Sequence, residues 1–136
     1  MKVTHDGRRI TVEVTSDGAG LVSHAGSALL AQVADKCGLT RALSAELGGL
    51  QRRSGSHDRG RVIRDLAVML ADGGDCLADL QAVRDQAVLF GEVASGSTAF
   101  RVIDQIASDP HGLQWLRAAH ARARARVWKL TARRNI

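Results

Sequence analysis

A single proline, Pro110, stands in a chain of 136 residues, and aromatic side chains make up only 3% of them. Proline breaks helices and aromatic or β-branched residues favour strands, so a chain poor in proline and in aromatics leans towards helix. Phe90, Phe100, Trp115 and Trp128 are the whole aromatic complement. The core must therefore come from Leu, Val, Ala and a few Ile. An apolar fraction of 45% is that of a globular protein. The expected fold class is mainly α: a bundle of about five to six helices with a small N-terminal β-hairpin.

The hairpin rests on residues Arg9 to Val14, where Ile10, Val12 and Val14 alternate with Thr11 and Glu13. Ser16-Asp17-Gly18 is a turn signal, and Gly20-Leu21-Val22 is a candidate return strand. From Ala25 the period becomes helical: Leu29, Leu30, Val33, Ala34 and Cys37 recur, and Gly38 supplies a left-handed cap. Thr40 is the expected N-cap of a short helix through Leu43 and Leu47, ended by Gly48-Gly49. Asp58 caps the next helix, with Val62, Ile63, Leu66, Met69 and Leu70 on its inner side. Gly73-Gly74 stops it, and Asp75 opens another through Leu77, Leu80 and Val83. A helical turn ending at Gly91 follows. Ser97 is the expected cap of a helix bearing Phe100, Val102, Ile103 and Ile106, and the last helix runs from about His111 to Leu130. These readings divide the chain into an N-terminal arm (1–23), a helical domain (24–130) and a basic tail (131–136).

The net charge of +5 is modest, but it is unevenly spread. Between Gln51 and Arg64, five arginines face one aspartate, and from Ala107 onward seven cations face only Asp109. Between them, Asp65 to Ile106 holds seven acids and two arginines. Basic blocks flanking an acidic middle point to a polyanionic partner. In the last helix, Arg122, Arg126, Lys129 and Arg133 share one face at about 100° per residue, beside an apolar stripe of Leu113, Leu116, Ala123, Val127 and Leu130. Such a face tracks a phosphate backbone, or else is a solvated flank of a self-associating helix. The helices around Gly38 have the spacing of a helix-turn-helix, with Ser44 departing from its apolar pattern, or are an ordinary helical hairpin. In the first case Thr40 and Arg41 open the reading helix. Candidate DNA contacts are thus Thr40, Arg41, Arg52, Arg53, Arg59, Arg61, Arg122, Arg126, Lys129 and Arg133.

Catalysis finds no footing in these patterns. Asp72, Asp75 and Asp79 lack the spacing of a calcium loop, and helix capping accounts for Asp75 and Asp79. The histidines (His5, His24, His57, His111, His120) have no metal-ligand spacing, and no nucleophile sits in an elbow or triad pattern. Cys37 and Cys76 are expected as small buried side chains rather than a disulfide or a metal pair. No cofactor, no metal and no catalytic residue is expected. With no signal-peptide core and no apolar run near the roughly 20 residues of a membrane span, the expected location is cytoplasmic, at the nucleoid.

Several strings carry a more specific likeness. Leu21-Val22-Ser23-His24-Ala25-Gly26 leading into Ala28-Leu29-Leu30, and Gly38-Leu39-Thr40-Arg41-Ala42-Leu43, are two. His57-Asp58, Gly60-Arg61-Val62 and the run Asp65-Leu66-Ala67-Val68-Met69-Leu70-Ala71-Asp72-Gly73-Gly74-Asp75 make the strongest. Leu77-Ala78-Asp79-Leu80, Leu89-Phe90-Gly91, Val93-Ala94-Ser95, Thr98 and Arg101-Val102 continue it. The chain resembles the N-terminal helical region of bacterial insertion-sequence DDE transposases, of the insertion sequence 1380 family, from about Val14 to Trp128.

The resemblance implies a protein that handles transposon-end DNA and assembles on it, with itself or with a full-length transposase. It also implies an RNase H-like catalytic domain whose carboxylate triad holds Mg²⁺. The family's first catalytic aspartate follows the segment matching Ala121 to Trp128. Here Lys129-Leu130-Thr131-Ala132-Arg133-Arg134-Asn135-Ile136 stands instead, which implies a shortened, non-catalytic chain. The competing expectations are a self-associating helical module without DNA affinity, a functionless remnant, and an unrelated hydrolase built on the aspartate cluster.

Overall fold

A computed structural model describes residues 2–6, 9–13, 24–50 and 57–134. The chain is mainly helical. Two short strands come first, β1 (Lys2–Asp6) and β2 (Arg9–Glu13), followed by α1 (Ser27–Lys36), α2 (Leu39–Leu47), α3 (Arg59–Ala71), α4 (Leu80–Arg84), α5 (Ala87–Phe90), α6 (Gly96–Ser108) and α7 (Gly112–Arg134). One-turn 3-10 segments lie at Gly48–Leu50 and Leu77–Asp79. The expected hairpin is not formed as read from the sequence. The segment after Arg9 pairs antiparallel with Lys2–Asp6, Val3 opposite Val12, and not with Gly20-Leu21-Val22, which lies outside the described residues.

The core is aliphatic, as the composition requires. Leu47, Val62, Leu80 and Val83 are its largest fully enclosed side chains, with Phe90 the one deeply buried aromatic among the described residues. α3 is central and packs against α1, α2, α4 and α6, while α2 lies between α3 and α7. The α2–α3 crossing is close enough to demand glycine. A Cβ placed on Gly60 would come 2.2 Å from the Ser44 backbone nitrogen. At the same crossing Ser44 Oγ donates to Asp58 Oδ1 at 2.7 Å, which is why a polar residue stands where a helix-turn-helix has an apolar one. Asp58 caps α3 as expected, accepting from the Arg61 backbone nitrogen at 2.8 Å.

Several faces turn differently from the sequence reading. α1 buries its small side, Ser27, Ala28 and Ala31, and leaves Leu30 (43%) and Val33 (60%) exposed. Ser27 and His24 both contact Asp72 at the end of α3, and this anchor sets the rotation of α1. In α6 Ala99, Val102 and Ile106 face inward while Phe100 (58%) points out. Ser95, not Ser97, caps that helix by accepting from the Thr98 backbone nitrogen. Thr40 does not cap α2, because Gly38 takes the N-cap position and the Thr40 hydroxyl donates back to Asp35 at 2.5 Å. α7 continues past Leu130 to Arg134, so the segment read as a tail is helical through Arg134. Cys37 is half-buried and Cys76 exposed, which corrects the expectation of two buried thiols.

Candidate nucleic-acid interface

Gly38 joins α1 to α2 in the left-handed conformation, at φ 81°, which a side chain would resist. That turn sits directly against α7, since a Cβ on Gly38 would lie 3.2 Å from Arg126 Cδ. The close approach of α2 and α7 is made by small residues: Ala42 on one helix, Ala119 and Ala123 on the other, all buried. Where the two surfaces part, they leave a groove of about 730 Å³. Its floor is Cys37, Gly38, Ala42, Ala45, Ala125 and Leu130, and its walls carry Arg41, Arg122, Arg126, Lys129 and Arg133.

Five of the sequence-expected cations thus converge, although Arg41 stands some eighty positions from the others in the chain. Arg122 is paired with Glu46 on α2. Among the described residues Arg41, Arg126, Lys129 and Arg133 have no ion-pair partner. All five are exposed. A concave surface with unneutralised cations on both walls concentrates positive potential and draws in a polyanion.

The remaining candidates go elsewhere. Arg59 is buried (8%), and its Nε and Nη2 donate to Gln105 Oε1 at 3.0 and 2.8 Å. Its charge therefore fastens α3 to α6 and is not presented to solvent. Arg61 is exposed but lines a separate cavity of about 240 Å³ with His57, Asp58, Asp65 and Glu92, where acids offset its charge. Thr40 is occupied by Asp35. Arg52 and Arg53 lie outside the described residues. Glu46, which holds Arg122, was not singled out from the sequence. Of the buried alanines at the helix contact, Ala123 stood in the apolar stripe of the last helix but Ala42 and Ala119 were not singled out; the four-residue spacing of Ala119 and Ala123 is the signal that could have found the contact.

The helix-turn-helix reading fares unevenly. The glycine turn is present, but Leu30 and Val33, which that motif would bury, face out. The basic groove forms between α2 and α7, not on a free reading helix.

Asp72 and Asp79 are engaged locally. Asp79 Oδ2 accepts from the Asp75 and Cys76 backbone nitrogens at 2.9 and 3.1 Å, and these bonds hold its carboxyl below the usual carboxylate range. Asp72 faces His24 and Ser27 instead, so the aspartates expected to cluster belong to two neighbourhoods. Asp75, Cys76 and Asp79 do lie within reach of one ion. Magnesium, the ion the family likeness implies, prefers oxygen donors in an octahedron. A thiol beside a carboxylate already committed to backbone amides does not fit it. Asp65 is buried, with Arg64 Nε donating to Oδ1 at 2.8 Å. Burial pushes its carboxyl up despite the attraction of Arg64.

No helix among the described residues is long and apolar enough to cross a membrane. Comparison with curated proteins and with solved structures gave no match. A family of transposases, described as "Transposase DDE domain group 1", matches residues 4–133. With that match spanning nearly the whole chain, the protein belongs to the DDE-domain transposases of group 1.

Proposed function

We propose that this chain is the DNA-holding helical region of an insertion-sequence transposase of the 1380 family, acting on double-stranded transposon ends during transposition. The observation that carries the proposal is the groove between α2 and α7, where Arg41, Arg126, Lys129 and Arg133 stand without partners among the described residues. In this reading the cations neutralise successive phosphates, and the alanine floor lets the backbone approach closely. The chain binds and positions DNA and does not cut it. Support for that division comes from Asp58 and Asp79, which cap helix starts, from Asp65, which pairs with Arg64, and from Asp72, which holds α1.

The test is DNA binding by the purified chain across a salt series, with the element's inverted-repeat end and a scrambled duplex of equal length. Four neutralised phosphates would give a log–log salt slope of about −3 to −4. Replacing Arg126, Lys129 and Arg133 together by Gln should flatten that slope by about 2 to 3. A slope that does not change rules out the groove. Preference for the inverted repeat marks a recognition surface, and equal binding marks a positioning one.

A second reading, assembly with another copy or a full-length transposase, draws on a different surface. Leu29, Leu30 and Val33 form an exposed apolar strip on α1. Light scattering on the wild type and on a Leu30→Ser, Val33→Ser variant separates it from the DNA reading: a dimer that becomes monomeric while DNA binding persists supports assembly on α1.

A further inference from the structure

We propose that α7 carries a second nucleic-acid contact on its far side, with Trp128 as the stacking platform for an unpaired base of single-stranded DNA. The proposal rests on the reading of the chain as a DNA-holding module, and adds what kind of DNA the opposite face takes.

Trp128 is 66% exposed, the most open aromatic among the described residues. At about 100° per residue it lies more than about 120° round the helix from the centre of the groove-facing cations. It shares that far face with Arg117 and Arg124, and with Ala121, which leaves low ground between the two arginines. All four are exposed. Neither arginine has an ion-pair partner among the described residues. The guanidinium of Arg124 lies over the indole, its Cζ 5.4 Å from the ring centroid. It lies over one face of the ring, and Trp128 as a whole stays open to solvent.

An exposed indole offers a flat apolar face for stacking, and the charge around it selects the occupant. A cationic rim repels a second basic helix and attracts phosphate. Base–aromatic stacking tolerates any base but needs one released from its pair, since bases within a duplex already stack on each other. Arg124 helps twice. It holds the indole in place by the cation–π contact, and its charge remains available to the phosphate flanking the stacked base. The helix then has a groove side for duplex backbone and a stacking side for a single strand, as a protein working at a DNA end requires.

The experiment compares labelled oligothymidylate with a duplex of the same length, on the full chain and on Trp128→Ala, Trp128→Phe and the triple Gln groove variant. Stacking predicts that Trp128→Ala weakens oligothymidylate binding about ten- to a hundredfold, while Trp128→Phe retains most of it. Duplex binding by both variants should stay within about twofold of wild type. Intrinsic fluorescence should be quenched by oligothymidylate in the wild type and much less in Trp128→Phe. The groove variant should show the reverse preference, losing duplex binding first. Equal loss of both ligands in Trp128→Ala, or no loss of either, overturns the stacking site while leaving the groove standing. Absence of binding to either ligand by the wild type overturns the groove as well.

Discussion

Arg122 of α7 and Glu46 of α2 form an ion pair across the seam that closes one end of the basic groove, with Glu46 largely enclosed and Arg122 mostly open. The pair neutralises one of the five groove cations before any ligand arrives. It also ties α7 to α2 where the alanine packing gives way to open space. Glu46→Gln therefore releases a cation into the groove at a modest structural cost, because the Arg122 end of the pair is open to solvent and screened, and glutamine keeps the size and hydrogen-bonding capacity of Glu46. The expected result is tighter duplex binding, with a salt slope steeper by about one. A variant with unchanged affinity and slope would show that Arg122 does not reach the ligand.

Gly38 and Gly60 make separate, graded predictions. At Gly38 an alanine must adopt a left-handed conformation and displace Arg126 Cδ, the end of a flexible side chain. The expected loss of stability is about 1–2 kcal/mol. At Gly60 the new Cβ would meet the Ser44 backbone, which cannot step aside. Gly60→Ala should cost about 3 kcal/mol and loosen the α2–α3 crossing. Urea denaturation of both variants tests the order, and a Gly38→Ala loss exceeding that of Gly60→Ala would contradict the crossing geometry.

The buried Arg64–Asp65 pair predicts an asymmetric response. Arg64→Met leaves Asp65 charged and enclosed, at a cost of about 3–5 kcal/mol at neutral pH. Burial already raises the Asp65 carboxyl above its ordinary range, and loss of Arg64 raises it further. A raised carboxylate means that the folded state gains protons more readily than the unfolded chain, so lowering the pH relieves the penalty. The Arg64→Met deficit should shrink as pH falls through the raised Asp65 value. The double variant with Asp65→Leu should recover most of the stability at every pH. A pH-independent deficit would mean that Asp65 is not the charge responsible.

Asp72 behaves in the opposite sense. The Ser27 hydrogen bond, helped by His24, holds its carboxyl below the usual range against a smaller opposing effect of desolvation. Its contribution is complete above the ordinary aspartate range and is lost as pH falls through the depressed value. Thermal melts of wild type and Asp72→Asn should differ at neutral pH by about 1 kcal/mol and converge in acid. Because the contact rotates α1, the asparagine variant should also expose Ala28 and Ala31, read out as faster amide exchange in α1. A constant gap across the titration would show that ionisation of Asp72 is irrelevant to the anchor.

Local grammar carried much of the fold. The stops at Gly38, Gly48-Gly49 and Gly73-Gly74, the Asp58 cap and the turn ending at Gly91 are dictated by backbone preference within a few residues, and each falls at its expected place. The alternation at Arg9–Glu13 likewise marked a strand, but its partner lies before it in the chain, because alternation names a strand and not its neighbour. Faces were less legible. Counting apolar residues put Leu29, Leu30 and Val33 inside, whereas α1 turns on Ser27 and His24, whose hold on Asp72 lies beyond any periodicity.

For the site, sequence alone determined the charge: arginines in two blocks, four cations on one face of the last helix, and aliphatic seams narrow enough for helices to meet. Which cations act together was decided by tertiary structure. Helix packing brought Arg41 to Arg126, Lys129 and Arg133, placed Glu46 against Arg122, buried Arg59 on Gln105 and set Arg61 among acids. Charge along a chain is fixed by composition and order, but the potential that a ligand meets depends on distances across the fold. Those distances follow from alanine and glycine contacts between helices far apart in sequence.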